Sequence, residues 1–329
     1  MRRRWASPGG GYRGGAAAQG SRGQSADRSA SADDRPRVTS GILNVNKPAG
    51  PSSFAVVRQV RRLPGVVKAG HGGTLDPAAD GVLPVLVNAA TRLADFVHEW
   101  PKTYLATVTF GVTSDTGDRE GSLTPSGDAS AVSRGRIETL LPSFTGRISQ
   151  VPPLYSALKQ GGEALYRKAR RGEASAPEAR PVEIHSLRLL EYDPIHALAR
   201  LTVSSGRGMY VRSLAHDLGT ALGCGGYLSA LTRTAVGPLA LSDAMTLPAL
   251  SAAGEGWTEW LLPMDLPLRE WPSVALDAVG VAAIRRGQSV AAPSSAPGRY
   301  RLIDPEGRLL AWAEVDAAHR LQPRAVFSS

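Results

Sequence analysis

A single cysteine, Cys224, in 329 residues excludes any internal disulfide and makes a reduced compartment the default reading. The six histidines, His71, His98, His185, His196, His216 and His319, are scattered, and no His or Cys pair falls at metal-ligand spacing, so no zinc site is visible. No run of about 18 apolar residues occurs. The most hydrophobic stretch, GVLPVLVNAATRLADFV, contains Asn88, Arg92 and Asp95, which predicts a soluble chain without a membrane span. Lysine is also scarce, five residues against 33 arginines.

The length allows one large domain with a well-buried core and a small second one. Net charge is +9, of which residues 1–40 carry +5 through eight arginines and three aspartates. A basic balance suits a polyanionic partner, although an arginine-favouring composition produces the same number. Those forty residues are Gly-, Ser-, Ala- and Arg-rich with almost no large aliphatics, and read as a disordered tail. Arg and Ser also mark organelle transit peptides, but the Gly-rich stretch offers no amphipathic helix, and a cytoplasmic location is the favoured reading.

Periodicity begins at Gly41. GILNVNKPAG reads as a strand broken at Lys47-Pro48, and SSFAVVRQVRRL as a helix capped by Ser52 or Ser53, with Val56, Val57, Val60 and Leu63 on one face. KTYLATVTFG alternates as a strand with Tyr104, Ala106, Val108 and Phe110 on one side. SDTGDREG lacks the register of a calcium loop and reads as a turn. Gln150 to about Arg180 is polar, Pro-punctuated and basic, an excursion from the main sheet whose helix EALYRKARRG carries Arg167, Lys168, Arg170 and Arg171. VEIHSLRLLEYD and HALARLTVSSG then form a returning hairpin.

Two places break local rules. Val211, Leu214, Ala215, Leu218 and Leu222 mark an amphipathic helix entered through Gly206 and Gly208, which puts Arg212 in the first turn, where the macrodipole disfavours a cation. A nearby anion, phosphate or carboxylate, is one explanation, and an ordinary surface arginine is the other. In AGHGGTLDPAADGVL, Pro77 forces Asp76 out of the α region, so Asp76 suits a helix N-cap. Gly81 and Pro84 interrupt any helix within two turns, however, and VLPVLVN reads as a strand. Asp76 on a glycine-rich loop is therefore a candidate active-site carboxylate.

GILNVNKPAGPSSF, AGHGGTLDPAADGVLPV, KTYLATVTFGVTSDTGDREG, QVPPLYSALKQGGEALYRKARRG, GMYVRSLAHDLG and LGCGGYLSALTRTAVG occur in one order. With these motifs the chain resembles the TruB family of bacterial-type tRNA pseudouridine-55 synthases over about Gly41 to Leu247. The C-terminal stretch from GRYRLIDPEGRLL to RAVF is similar to that family's small β-barrel PUA-type tail. The resemblance implies isomerisation of a uridine in the TΨC loop of the tRNA T-arm, breaking the N-glycosidic bond and joining C5 of the base to C1′ of ribose. No cofactor and no metal are implied, and tRNA is the implied partner of a monomer.

Residue by residue, Asp76 matches the family's catalytic aspartate, acting either as nucleophile at the sugar or as the base that starts elimination to a glycal. Arg212 matches the arginine that pairs with that carboxylate, and Tyr210 the tyrosine over the catalytic centre. Tyr104 matches the tyrosine that stacks on the flipped base, and His71 the histidine that enters the vacated space. His71 is followed here by Gly72, where many members carry Thr or Ser, a departure that removes one side-chain hydrogen bond. Leu231 and Arg233 match an apolar pocket wall and an adjacent basic residue, both on the substrate. Lys159 and the Arg167–Arg171 cluster lie in the RNA-gripping insertion, while Lys47, Gly73 and Pro77 belong to loop support.

A glycosidase built on Asp76 and Asp80 has no clear opposed geometry at a four-residue spacing. A non-catalytic tRNA-binding or folding factor on the same fold is the stronger alternative, opposed by the intact Asp76, Tyr104, Tyr210 and Arg212. The expected architecture is α+β: a mixed, mostly antiparallel central sheet over 41–262, an insertion near 150–180, and a small β-rich PUA-like domain over 263–329.

Overall fold

The computed structural model describes residues 39–327 apart from 157, 176 and 294–296. Nearly all of the tail read as disordered therefore lies outside the described residues. Its last two residues differ from that expectation: Asn88 Nδ2 donates to Thr39 O at 2.7 Å and Ala89 N–H to Ser40 Oγ at 3.1 Å, so the folded body begins before Gly41.

The sequence patterns translate into elements where expected. Strand β1 (Gly41–Lys47) stops before Pro48, and helix α1 (Ser53–Val60) is capped by Ser52 Oγ, which accepts from Ala55 N–H at 3.2 Å. Val56, Val57 and Val60 are its buried face. Next come β2 (Ala69–His71), β3 (Asp80–Val87), helix α2 (Ala94–Glu99) and β4 (Lys102–Phe110). The turn Ser114 to Gly121 sits at the tip of a small hairpin, β5 (Val112–Ser114) with β6 (Leu123–Pro125). Helix α3 (Arg134–Leu140) leads to β7 (Gly146–Gln150). The excursion holds a hairpin, β8 (Lys159–Gln160) with β9 (Glu163–Ala164), and helix α4 (Leu165–Arg170). It departs and returns at one point, because Gln150 and Arg180 are register partners between β7 and β10 (Arg180–Asp193). Strand β11 (Leu198–Ser205), helix α5 (Val211–Leu222) and β12 (Gly226–Val236) follow.

The large sheet runs Met245–Thr246, β1, β3, β12, β4, β11, β10, β7, with β2, Leu239–Ala240 and Leu261–Pro263 attached beside this path. Pairing is antiparallel except between β1 and Met245–Thr246 and between β3 and β12. The β3–β12 junction is where the site forms. Asp80 pairs with Thr232 and Gly81 with Arg233, and the strands come so close that a Cβ on Gly81 would stand 2.2 Å from Arg233 O. Gly81 also has φ +106°, so glycine is required there on two counts.

A second, five-stranded sheet runs Ser273–Ala275, Arg299–Ile303, Leu309–Val315, Arg320–Val326, Val290–Ala291. Pro263 still belongs to the large sheet and Ser273 opens the second, so the sheet boundary falls between them, later than 262/263. Phe96 of α2 meets Trp271 and Trp312 edge-on, with ring centroids 5.1 and 5.5 Å away, and Leu309, Ala325 and Phe327 pack with Val82, Leu86 and Leu93 in one core. The second sheet is thus packed against the large one.

Candidate active site

Asp76 lies on the loop between β2 and β3, and no helix follows it. Ala79 N–H donates to Asp76 O at 3.2 Å in a single turn, after which β3 starts, so the carboxylate is presented rather than used as a cap. The residues on either side are fastened. Ser53 Oγ donates to Leu75 O and accepts from Leu75 N–H, both at 2.8 Å. Lys47 Nζ donates to Pro48 O at 2.8 Å, Pro77 O at 3.2 Å and Ala79 O at 2.6 Å, and Gly50 N–H to Pro77 O at 2.8 Å. Lys47 is fully buried; burial lowers its pKa to about 8, against the pull of Asp80 and Asp76 in the other direction.

The arginine that looked misplaced at the start of α5 meets the anion its position called for. Arg212 Nε lies 2.9 Å from Asp76 Oδ2, and Nη1 lies 3.5 Å from Asp118 Oδ2. Nη1 also donates to Thr116 O and Nη2 to Tyr155 O, each at 3.0 Å. Nε is buried and its N–H is not aligned with any acceptor, so charge rather than a directed hydrogen bond holds it to Asp76. Arg212 is 5% exposed while the Asp76 side chain keeps 37%, which leaves the carboxylate open to a ligand and its counter-ion closed to water. Asp118 is drawn under Arg212 by its own turn, accepting from Thr116 Oγ1 at 2.7 Å and Glu120 N–H at 3.0 Å.

Among the described residues, two hollows large enough for a ligand open on Asp76. One, about 330 Å3, is lined by Thr74, His98, Lys102, Tyr104, Tyr210, Leu231 and Arg233 among others. The other, about 820 Å3, has Phe54, His71, Tyr155, Tyr166, Arg167 and Arg170 on its walls. Both lie within the size range of small-ligand sites, roughly 300–1,000 Å3. Tyr104 and Leu231 enter the first hollow from the neighbouring strands β4 and β12. Tyr210, at the N-cap of α5, is clamped by Gln150, whose Oε1 accepts its N–H at 2.8 Å while Nε2 donates to its carbonyl at 3.1 Å. Burial pushes the Tyr104 phenol up, and the Arg233 guanidinium beside it pulls the other way.

Several residues named from the sequence have further contacts that their patterns did not show. Arg233, read as a substrate-facing base, is 1% exposed and donates to Val82 O at 2.7 Å and to Thr74 O and Gly73 O at 3.1 Å. Its guanidinium is committed to the Asp76 loop, and burial lowers its pKa. His71 Nδ1 accepts from Gly73 N–H at 3.4 Å, and burial, then the neighbouring His98, lowers its pKa. The space of the missing side chain at Gly72 is filled: a Cβ there would stand 2.2 Å from Val97 Cγ1. Lys159 is exposed on the β8–β9 hairpin and is not among the residues lining the two hollows. The arginine cluster divides: Arg171 is engaged by Glu163 and Glu173, both at 2.9 Å or less, whereas Arg167 and Arg170 stand over the Tyr166 ring at the second hollow.

Asp118, Gln150 and Lys102 escaped the sequence reading as site residues. Lys102 had a signal, since it shares a strand face with Tyr104. Asp118 and Gln150 had none, because a turn aspartate and a strand-end glutamine are ordinary in isolation.

Comparison with known proteins places this geometry. Residues 61–211 match the TruB family pseudouridylate synthase N-terminal domain, 212–269 the tRNA pseudouridylate synthase B C-terminal domain, and 272–327 the pseudouridine synthase II TruB C-terminal domain. A tRNA pseudouridine synthase B of Pseudomonas putida strain GB-1 is 41% identical over 299 residues, covering 89% of this chain and 97% of its own. The chain belongs to the TruB family. A tRNA pseudouridine synthase B of Xanthomonas campestris pv. campestris strain B100 is likewise 41% identical over 301 residues, with 89% and 97% covered. Among solved structures, a Cbf5-Nop10-Gar1 complex aligns with a TM-score of 0.65 at 26% identity, over 88% of this chain and 85% of that one. The pseudouridine synthase fold with a β-rich C-terminal sheet follows, as the motif order implied. No helix among the described residues is long and apolar enough to cross a membrane.

Proposed function

We propose that this TruB-family chain is a tRNA pseudouridine synthase that isomerises uridine 55 of the TΨC loop. The observation that carries the reading is the Asp76 carboxylate, tethered by buried Arg212 beside a hollow walled by Tyr104, Tyr210 and Leu231.

The target uridine leaves its stack and its base lies against Tyr104, whose ring replaces the lost base neighbours. Asp76 acts at the ribose as the N1–C1′ bond breaks; Arg212 holds the carboxylate in place for that step. The freed uracil turns within the hollow, C5 joins C1′, the C5 proton departs and N1 gains one. Every atom of the product except that exchanged proton comes from the substrate, and the reaction is redox-neutral. Tyr210 faces the hollow where the C5 proton is lost and takes part in that transfer. His71 occupies the place the base leaves, and Arg167 and Arg170 meet phosphates of the T-arm. A tRNA substrate fits a cytoplasmic protein.

Tritium release from tRNA carrying [5-³H]uridine tests this, comparing the native chain with Asp76→Asn at matched tRNA binding. Release from the TΨC loop by the native chain, lost in the variant, is the expected result. Binding without release from either overturns it and makes the chain a tRNA-binding factor.

A further inference from the structure

Among the described residues, the hollow that holds Tyr104 also holds a lysine that makes no ion pair. Lys102 opens β4 two residues before Tyr104, on the same strand face, and is 7% exposed. An ammonium carries three N–H donors. Among the described residues Lys102 Nζ has one acceptor, His98 O at 2.5 Å, and no carboxylate in ion-pair contact. Glu99, the acid that acts on it through space, is engaged by Arg207. Lys47 shows the alternative, a buried lysine with all three donors on carbonyls. A buried charge left this way is costly unless something arrives to pair with it. His98, Arg207 and Arg233 line the same hollow as Lys102 and Asp76, so two guanidiniums stand on its wall beside the ammonium.

We propose that Lys102, flanked by His98 and Arg207, is a phosphate subsite that takes a phosphodiester adjoining the uridine stacked on Tyr104. The proposal rests on the synthase reading above. Two strand residues span about 6–7 Å, comparable to the distance from a base to its own nucleotide's phosphate, so a base on Tyr104 brings a phosphate to Lys102. Burial lowers the Lys102 pKa to about 8, and an arriving phosphate favours the charged form and moves it back up. The subsite would hold the nucleotide by its backbone while the base is cut free and turned.

The test uses T-arm minihelix RNAs with one neutral methylphosphonate linkage, placed 5′ or 3′ of the target uridine. Their Kd is measured by fluorescence anisotropy for the full native chain, Lys102→Met and Lys102→Arg. One of the two linkages should weaken native binding about tenfold. The same linkage should cost Lys102→Met less than about twofold, and Lys102→Arg should regain most of the sensitivity. If neither linkage weakens native binding, or if both weaken Lys102→Met as much as the native chain, the subsite does not exist. Should Lys102→Met not fold, Lys102→Gln takes its place: sensitivity to the linkage equal to that of the native chain overturns the subsite, and its loss supports it. Tritium release from the unmodified RNA, followed in parallel, reports separately on the synthase reading.

Discussion

Gln150 holds Tyr210 by both of its backbone groups, across 60 residues of sequence, from the point where the excursion leaves the sheet. Next to it Ser213 Oγ donates to Val151 O at 2.7 Å, and Arg212 reaches Tyr155 O. The base of the excursion and the start of α5 are therefore one bonded seam. Gln150→Ala leaves the Tyr210 N–H without its acceptor at a site 2% exposed, while the Tyr210 carbonyl keeps Leu214 N–H at 3.1 Å, and the loss should cost about 1–3 kcal/mol. Because Tyr210 and Arg212 lose their registration, turnover should drop roughly ten- to a hundredfold with KM little changed. Gln150→Glu, which keeps the acceptor and loses the donor, should fall between. A change confined to KM in steady-state tritium-release kinetics would show that the amide does not position the site.

Gly72 and Val97 share one volume. Gly72→Thr should destabilise the protein by about 1–3 kcal/mol through overpacking, read as a lower Tm, and Val97→Ala in the same chain should restore much of the loss. Additive losses in the double variant would mean that Val97 does not fill that space.

Arg212 uses its planar fork in three directions at once, which an ammonium cannot copy. Arg212→Lys should retain the charge yet lose about a hundredfold in turnover, with tRNA affinity nearly unchanged. Near-native turnover would show that charge alone suffices beside Asp76.

Lys102 makes a pH prediction with a definite sign. Its folded pKa of about 8 lies below the ordinary 10.5. Between these values the unfolded chain binds the proton and the native chain does not, so stability from this group rises with pH across that window and is constant below it. The stability of the native chain relative to Lys102→Met should climb from about pH 7.5 to about pH 10, by at most about 3 kcal/mol. Lys47 titrates in the same window but is common to both chains and cancels. A flat difference in urea titrations across this range would contradict it. Affinity for the T-arm should move the opposite way, falling as the charge is lost.

The basic helix of the excursion should not act as a uniform patch. Arg167→Ala and Arg170→Ala should each weaken tRNA binding and lower the slope of log Kd against log salt by about one. Arg171→Ala should change the slope little, since Glu163 and Glu173 already hold that guanidinium. Equal slopes for all three would return the cluster to a single electrostatic surface.

Much of this protein was legible from residues close together in the chain. The period-two alternation of β4, the valine stripe of α1 and the apolar face of α5 depend on neighbours a few residues away, and each element formed where its pattern lay. Pro77, Gly81 and Pro84 excluded a helix after Asp76 for the same local reason, and a cation in the first turn of α5 implied a nearby anion. None of this said which anion. The meeting of Arg212 with Asp76 and Asp118, the turning of Arg233 onto the Gly73 and Thr74 carbonyls, and the clamp of Gln150 on Tyr210 arise only when β3 lies parallel to β12 and β7 returns beside β10. A polar side chain offers the same donors wherever it sits. Which acceptors it meets, and whether it is left facing a ligand like Lys102 or consumed by backbone like Lys47, depends on the strands that burial brings against it.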